Sequence, residues 1–528
     1  MTRYMNKFNS WITERRNSDE LRVSLIDKES VDIESRRKSS AVDRISTHCA
    51  NFVRIVEVQA APFIQRSKVR LIAIFLILCL LFLSLFGNRT HSVKVESSSS
   101  VWDDLGYYLD SVDPGVVAPQ KINEAKWPAR YTVQMPDSDI KALQKSHKDF
   151  VNLSSDLTLK GTYAPGTTGI VSTAAGRYLN VFLVSLRCLR RTGSTLPVEL
   201  FLEADNEYDE YFCETLLPSL NARCKVMSHS IGTKLARKLE AFQIKAFAIM
   251  SSSFENVLFL DADNLSLENP EKIFESSIYE TMGLILWPDF LETSESPILA
   301  EIQSPLAAKW TGSSNISMES GQIFISKSIH EKTLFLACYY NYYGPSYYYS
   351  LFTQGGNGEG DKETFAAAAA YLRNPYYLVK EMVHGFGFFD SNSKDVIKDM
   401  EHFKNIGMIQ FAPDWHGSSD TLKPLFLHWN WPKLDAGRFL DEEHLLQDHT
   451  GVNHRVWEFA RGPGDVFIPW AEISFSVDAK GWGRDSEAIA IEQMIRVACV
   501  DLRKRRGMET ACKKLRAHYR KVYSGDAN

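Results

Sequence analysis

The chain has 528 residues, of which 44% are hydrophobic and 24% charged, and its formal net charge is −5. That length accommodates two or three domains, or one large domain with appendages, and the composition is that of a globular protein. The slight negative charge excludes an electrostatic nucleic-acid surface, and eight cysteines are too few for a disulfide scaffold.

Residues 1–70 are charged, poor in aromatics and without sustained periodicity, the pattern of a largely disordered tail. Leu71 to Gly87 (LIAIFLILCLLFLSLFG) carries no charge and sits near the lower length limit of a membrane helix. The long polar stretch before it argues against a cleaved signal peptide. Arg66, Lys68 and Arg70 flank its N-terminal side, so the positive-inside rule predicts a cytoplasmic tail, a single signal-anchor span and a lumenal remainder. Residues 88–160, with a serine run at Ser97 to Ser100 and scattered prolines, read as a lumenal stem. Residues 161–528 read as the catalytic domain. Six cysteines follow the apolar run: Cys188, Cys213, Cys224, Cys338, Cys499 and Cys512. Cys213 with Cys224 and Cys499 with Cys512 are the close pairs, although spacing does not settle connectivity. Acceptor sequons begin at Asn88, Asn152, Asn264 and Asn315.

Gly169 to Thr173 predicts a first strand running into a turn, and Ala174 to Arg191 a helix with Leu179, Phe182, Leu183, Leu186 and Leu189 on one side. Pro197 to Leu202 and Cys224 to Met227 predict two more strands. Leu235, Leu239, Phe242, Ala246 and Ile249 recur at helical spacing before Val257 to Leu260, a buried strand. Strand and helix in alternation predict an α/β architecture with a mostly parallel central sheet. Asp261 and Asp263 follow the last strand directly. Alternation puts both on one side, at the carboxyl edge where open α/β sheets bind ligands. Two hard oxygen donors there suit a divalent cation bridging a diphosphate; the plain alternative is an acidic turn. No glycine-rich phosphate loop is present, so basic side chains are needed, and Arg177 and Lys245 are candidates. Thr173, where the first strand meets its turn, joins them on the nucleotide side.

Gly283 to Asp289 predicts a further strand. Glu319-Ser320-Gly321-Gln322 reads as a polar turn feeding another strand, with groups that suit sugar hydroxyls or a simple capped turn. Seven tyrosines stand between Tyr339 and Tyr349, most expected in the core and one or two at a sugar site. Gly355 to Gly360 forms a glycine-rich loop before Asp361 and Glu363. These two carboxylates suit helix capping, or orientation of an acceptor hydroxyl and stabilisation of developing positive charge. His428, at the end of an apolar run, is a candidate third metal ligand, and Lys423 a phosphate contact.

Several of these stretches resemble the fungal Golgi α-mannosyltransferases that build mannan side branches. They are Lys245 to Asp263, Leu286-Trp287-Pro288-Asp289, Glu319-Ser320-Gly321-Gln322, the tyrosine run and Gly358 to Phe365, in the same order and within roughly residues 165–435. The Gly-Asp-Lys-Glu-Thr-Phe version is more similar to α-1,2 branch-initiating members than to α-1,3 capping members. The resemblance implies a single-pass type II Golgi membrane protein with a GT-A type nucleotide-sugar fold. It also implies GDP-mannose as donor, a mannose-containing glycan as acceptor, and a divalent cation, manganese, at Asp261 and Asp263. His428 is matched only by analogy. Thr173, Arg177, Lys245, Glu319, Gln322 and Lys423 form the expected donor-binding set, and Asp361 and Glu363 the catalytic pair, with retention of configuration. Open alternatives are α-1,3 transfer, or a non-catalytic Golgi partner in a complex with other mannosyltransferases. Residues after about 435 match nothing, and the aromatics from Trp429 to Trp482 are expected to complete the acceptor side.

Overall fold

A computed structural model of the chain describes residues 100–122, 132–303, 316–356, 358–389, 402–413, 423–447, 451–470 and 485–523. The expected tail and apolar span at 1–87 lie outside the described residues. Among the described residues, no helix is long and apolar enough to cross a membrane.

In chain order the main elements are α1 (Val101–Ser111), α2 (Asp137–Leu153), β1 (Ala164–Thr173), α3 (Tyr178–Arg191), β2 (Val198–Leu202), β3 (Ala222–Val226), α4 (Ile244–Ser251) and β4 (Phe254–Leu260). There follow β5 (Asn264–Ser266), β6 (Leu284–Glu292), β7 (Ile316–Ser326), α5 (Lys327–Tyr342), α6 (Thr364–Tyr371), β8 (Tyr377–Leu378), β9 (His384–Phe389) and β10 (Phe403–Phe411). The last are β11 (Pro424–Trp429), β12 (Phe459–Gly462), β13 (Val466–Pro469), α7 (Ser486–Arg496) and α8 (Met508–Val522).

The first sheet has seven strands in the order β8-β6-β7-β4-β1-β2-β3. β1, β2, β3 and β4 pair in parallel, as do β6 and β8. β7 runs antiparallel between β4 and β6. The architecture is therefore α/β with a mixed sheet, the expected parallel core interrupted by one reversed strand. β4 shows why the core strands were legible. Val257, Leu258 and Phe259 are all fully buried, so the strand reads as an unbroken apolar run covered on both faces. Glu319 to Gln322 are not a turn but the middle of β7. Their polar side chains carry turn chemistry locally, yet ladders on both sides hold the backbone extended.

A second sheet, absent from the sequence-based expectation, has six antiparallel strands in the order β13-β12-β9-β10-β11-β5. Its inner face holds Phe386, Trp429, Trp457 and Trp470, whose rings lie 4.9–6.1 Å apart. Trp429, Trp457 and Trp470 are therefore buried core and not an acceptor surface. Trp482 lies outside the described residues.

The stretch expected as stem is not a spacer in its described part. Leu105 and Leu109 of α1, and Leu143 and Phe150 of α2, are fully buried in the same core as α4 and α5. The tyrosine run is what they pack on. Tyr339 and Ser146 share a hydrogen bond of 2.8 Å, Tyr340 meets His147 at 2.9 Å, and the Tyr343 hydroxyl donates to the Leu109 carbonyl. Tyrosine serves here because its ring fills the core while its hydroxyl satisfies buried polar partners.

Among the described residues two disulfides form, Cys213–Cys224 and Cys499–Cys512, the two close pairs of the sequence; Cys188 and Cys338 are buried free thiols. The second closes the turn between α7 and α8, which hold the C-terminal region on α3 through the Arg187–Asp501 ion pair. Replacing Cys499 and Cys512 together by serine is expected to lower the unfolding free energy by about 2–4 kcal/mol. Denaturant titration of the oxidised chain and the double variant checks this; under full reduction of both, the difference disappears.

Candidate metal centre

β4 belongs to the first sheet and β5 to the second, so Asp261-Ala262-Asp263 is the bridge between them. The bridge is fixed by its backbone. The Asp261 N–H donates to the Gly321 carbonyl at 2.9 Å and the Trp429 N–H to the Asp263 carbonyl at 3.0 Å. The Ser185 hydroxyl of α3 donates to the Ala262 carbonyl at 2.6 Å.

β11 runs beside β5 with His428 opposite Asn264, which brings the histidine to the bridge. Its Nε2 lies 3.1 Å from Oδ1 of Asp263, and its Nδ1 lies 2.9 Å from Oε1 of Glu319. Ligand atoms of Asp261, Asp263 and His428 all fall within 4.8 Å of one another. Gly321 makes room for the ring: a Cβ there would stand 2.6 Å from the His428 Nδ1 and 2.7 Å from the Glu319 carboxylate.

Two lysines complete the centre. Lys245, from α4, reaches Asp261 at 3.3 Å, Asp361 at 3.1 Å, the Ser320 hydroxyl at 2.8 Å and the Ser320 carbonyl at 2.9 Å. Lys433, just beyond β11, is ion-paired to Oδ2 of Asp263 and lies 3.3 Å from the Trp429 carbonyl. Four carboxylates (Asp261, Asp263, Glu319 and Asp361) thus face two lysines and one histidine. Burial pushes the Asp261 carboxyl up to about 6, aided by Asp263 and Asp361 and opposed by Lys245 and His428. Burial also acts on Asp263, but Lys433 and His428 outweigh it and hold that carboxyl well below the usual range. Against burial, His428 and then Lys245 bring Glu319 down to about 2. Burial disfavours the His428 imidazolium, yet Asp263 and Glu319 raise its proton affinity well above normal. Surplus negative charge with carboxylate and imidazole donors fits a divalent cation.

The expected site residues do not all come together. Lys245, Glu319, Asp261, Asp263 and His428 come together, and Asp361 joins them through Lys245. Thr173 ends β1 at the same edge, and Arg177 lies 5.6 Å from the Tyr178 ring, which Lys433 faces at 6.0 Å. Gln322 is buried and accepts from the Asn264 side chain at 2.6 Å, so it supports the bridge from beneath. Lys423 is not at the centre. It precedes β11, five residues from His428, and at about 3.3 Å per residue the strand carries it roughly 16 Å away; its side chain is exposed. The lysine that does arrive is Lys433, on the other side of the strand. The signal was a lysine in the polar turn after His428.

Glu363, expected to be catalytic, points elsewhere. Its oxygens accept the Ser317 hydroxyl and the Met318 N–H at 3.2 Å, tying α6 to β7. Nor does the Asp361 side chain cap α6; it goes to Lys245 and, at 3.3 Å, to the Ser320 hydroxyl. A second buried pair, Lys362–Asp289 at 2.5 Å, was not anticipated. Asn264 is 1% exposed, which keeps that sequon from modification in the folded chain.

A family model described as "Mannosyltransferase putative" matches residues 167–311 and 302–412. This stretch is a mannosyltransferase-family domain. It contains Lys245, Asp261, Asp263, Glu319 and Asp361, while His428 and Lys433 come from the strand and turn beyond it. Similar curated proteins include two α-1,2-mannosyltransferases of Candida albicans. MNN24 is 38% identical over 54% of this chain and 45% of its own length. MNN21 is 37% identical over 63% and 59%. MNN2 of Saccharomyces cerevisiae, also an α-1,2-mannosyltransferase, is 30% identical over 60% and 58%. The chain thus spans about half of the length of these relatives. Among solved structures, the chain is similar to the glycosyltransferase GlyE of Streptococcus pneumoniae at 14% identity over 40% of this chain and 45% of that one, with a TM-score of 0.26.

Gly321→Ala of the mannosyltransferase-family domain is expected to displace the His428 ring with the fold retained. Cation affinity measured by calorimetry then falls at least tenfold, about 1.4 kcal/mol, while the far-ultraviolet circular dichroism is unchanged. A second expectation concerns Glu363, which burial raises from 4.5 to about 7. The folded state holds this proton more tightly than the unfolded state. Its stabilising contribution is therefore complete below pH 4.5 and lost as pH rises through about 7. Glu363→Gln removes that loss, so its stability relative to the parent chain improves by up to ~3 kcal/mol between pH 5 and pH 8, as measured by denaturant unfolding at both values.

Proposed function

We propose that this chain is a retaining glycosyltransferase of GT-A type that moves mannose from GDP-mannose to a mannose hydroxyl of a glycoprotein glycan or mannan, forming an α-1,2 linkage. The observation that carries the reading is the Asp261–Asp263–His428 donor cluster, flanked by Lys245 and Lys433, at the edge of a mannosyltransferase-family domain. The names of the similar proteins support mannose and the α-1,2 linkage. Leu71 to Gly87 supports a type II anchor in the Golgi membrane, with the catalytic domain in the lumen, where the two disulfides persist.

Asp261, Asp263 and His428 would hold a divalent cation, manganese in our reading, which would supply charge neutralisation at a diphosphate leaving group. Lys245 bridges Asp261 and Asp361, offsetting the repulsion between these like charges, and adds positive potential to the phosphate side. Arg177, at the mouth of the same edge, faces the nucleotide. Asp361 is the carboxylate that orients the acceptor hydroxyl or stabilises positive charge developing on the sugar. Glu319 fixes the His428 ring through Nδ1, leaving Nε2 directed to the cation side.

Asp261→Asn and Asp263→Asn are each expected to reduce manganese-dependent transfer at least ~100-fold, since charge stabilisation at a leaving group is worth several kcal/mol, with folding intact. Incubation with GDP-mannose, a mannose acceptor and manganese measures transfer, and linkage analysis of the product reads the bond formed. Turnover equal to the parent in either variant would remove the metal assignment.

A further inference from the structure

We propose that Lys433 is an exchangeable counter-ion: its ammonium holds Oδ2 of Asp263 while no divalent cation is bound, and cation binding releases it to the diphosphate of the nucleotide sugar. The inference rests on the cation-dependent nucleotide-sugar reading above. Both oxygens of Asp263 are already engaged, Oδ1 by His428 at 3.1 Å and Oδ2 by Lys433. A cation that takes this carboxylate competes with these donors for its lone pairs. His428 belongs to the ligand set and keeps its place by changing partner. Lys433 brings only positive charge, which a divalent cation at the same carboxylate repels.

The two lysines of the centre differ in how firmly they are held. Lys245 has the Ser320 hydroxyl at 2.8 Å, the Ser320 carbonyl at 2.9 Å and Asp361 at 3.1 Å besides Asp261, and its side chain is 6% exposed. It stays in place when Asp261 ligates. Lys433 sits on the turn after β11 at the mouth of the centre, and its Trp429 carbonyl contact is 3.3 Å long. Next to it lies the Tyr178 ring, 6.0 Å away, with Arg177 near the same ring at 5.6 Å. This strip follows the carboxyl edge of β1, where an α/β sheet receives a nucleotide. Four flexible bonds let the ammonium swing from Asp263 toward a phosphate placed there without movement of the backbone.

The exchange couples two ligands. Lys433 opposes the bare cation and favours the nucleotide once the cation is in place, so each ligand strengthens binding of the other. The full-length chain and the variants Lys433→Met and Lys433→Gln test this. Manganese binding without nucleotide is followed by electron paramagnetic resonance of the free ion, and GDP binding at saturating manganese by calorimetry. Both variants are expected to bind bare manganese about tenfold more tightly, and GDP about tenfold more weakly, than the parent. Glutamine keeps a hydrogen bond to Asp263 without the charge, so it carries the test should the methionine variant fold poorly. Manganese affinity that is unchanged or lower in the folded variants overturns the exchange while leaving the cation-dependent reading standing. A parent chain that binds neither manganese nor GDP overturns both.

Discussion

A chain segment that leaves one sheet and enters another must be gripped from both sides, and in this protein that grip shapes the centre. Left to itself, Asp261-Ala262-Asp263 has the composition of an ordinary turn. Its conformation is set by the Gly321 carbonyl from β7, the Trp429 N–H from β11 and the Ser185 hydroxyl from α3. The same contacts deliver side chains. β7 brings Glu319, β11 brings His428, and the turn beyond β11 brings Lys433. Backbone pairing and site chemistry therefore rest on one arrangement, and a shift of one residue in the β5–β11 register would turn His428 to the opposite face.

So many ionisable groups in a buried place are a poor way to gain stability. Charges removed from water cost several kcal/mol each unless well paired, and here carboxylates outnumber the cations. The imbalance shows in Asp261, the carboxyl left with the weakest compensation and pushed up to about 6, while Asp263 is held strongly ionised by Lys433 and His428. Neighbouring acids with separated proton affinities mark a place where charge is being arranged for a task. Glu363 and the Lys362–Asp289 pair surround that centre as buried supports.

The periphery holds the bridge rigid. On one side α1 and α2 close over the tyrosines of α5, whose hydroxyls are matched to backbone and side-chain partners. On the other, Glu487 of α7 accepts the Val456 N–H at 2.8 Å and the Tyr523 hydroxyl at 2.8 Å. That contact positions Trp457, whose ring lies 4.9 Å from Trp429, the neighbour of His428. Segments outside the family match thus support a centre that lies at its edge.

The sequence by itself determined the parallel core, because strands buried on both faces leave unbroken apolar runs between helical periods. It also showed the paired aspartates at a strand end, with His428 and Lys245 as candidates beside them, and the two close cysteine pairs whose connectivity spacing left open. Only the tertiary structure decided the reversed strand β7, the second sheet, the packing of residues 101–153 on the tyrosines and the choice of Lys433 over Lys423. Periodicity and propensity report a residue's immediate neighbours. Which acid meets which base depends on ladder register between strands remote in the chain, as between Asp263 and His428, 165 residues apart. Even a local motif such as Glu319 to Gln322 takes its backbone shape from the strands on either side of it.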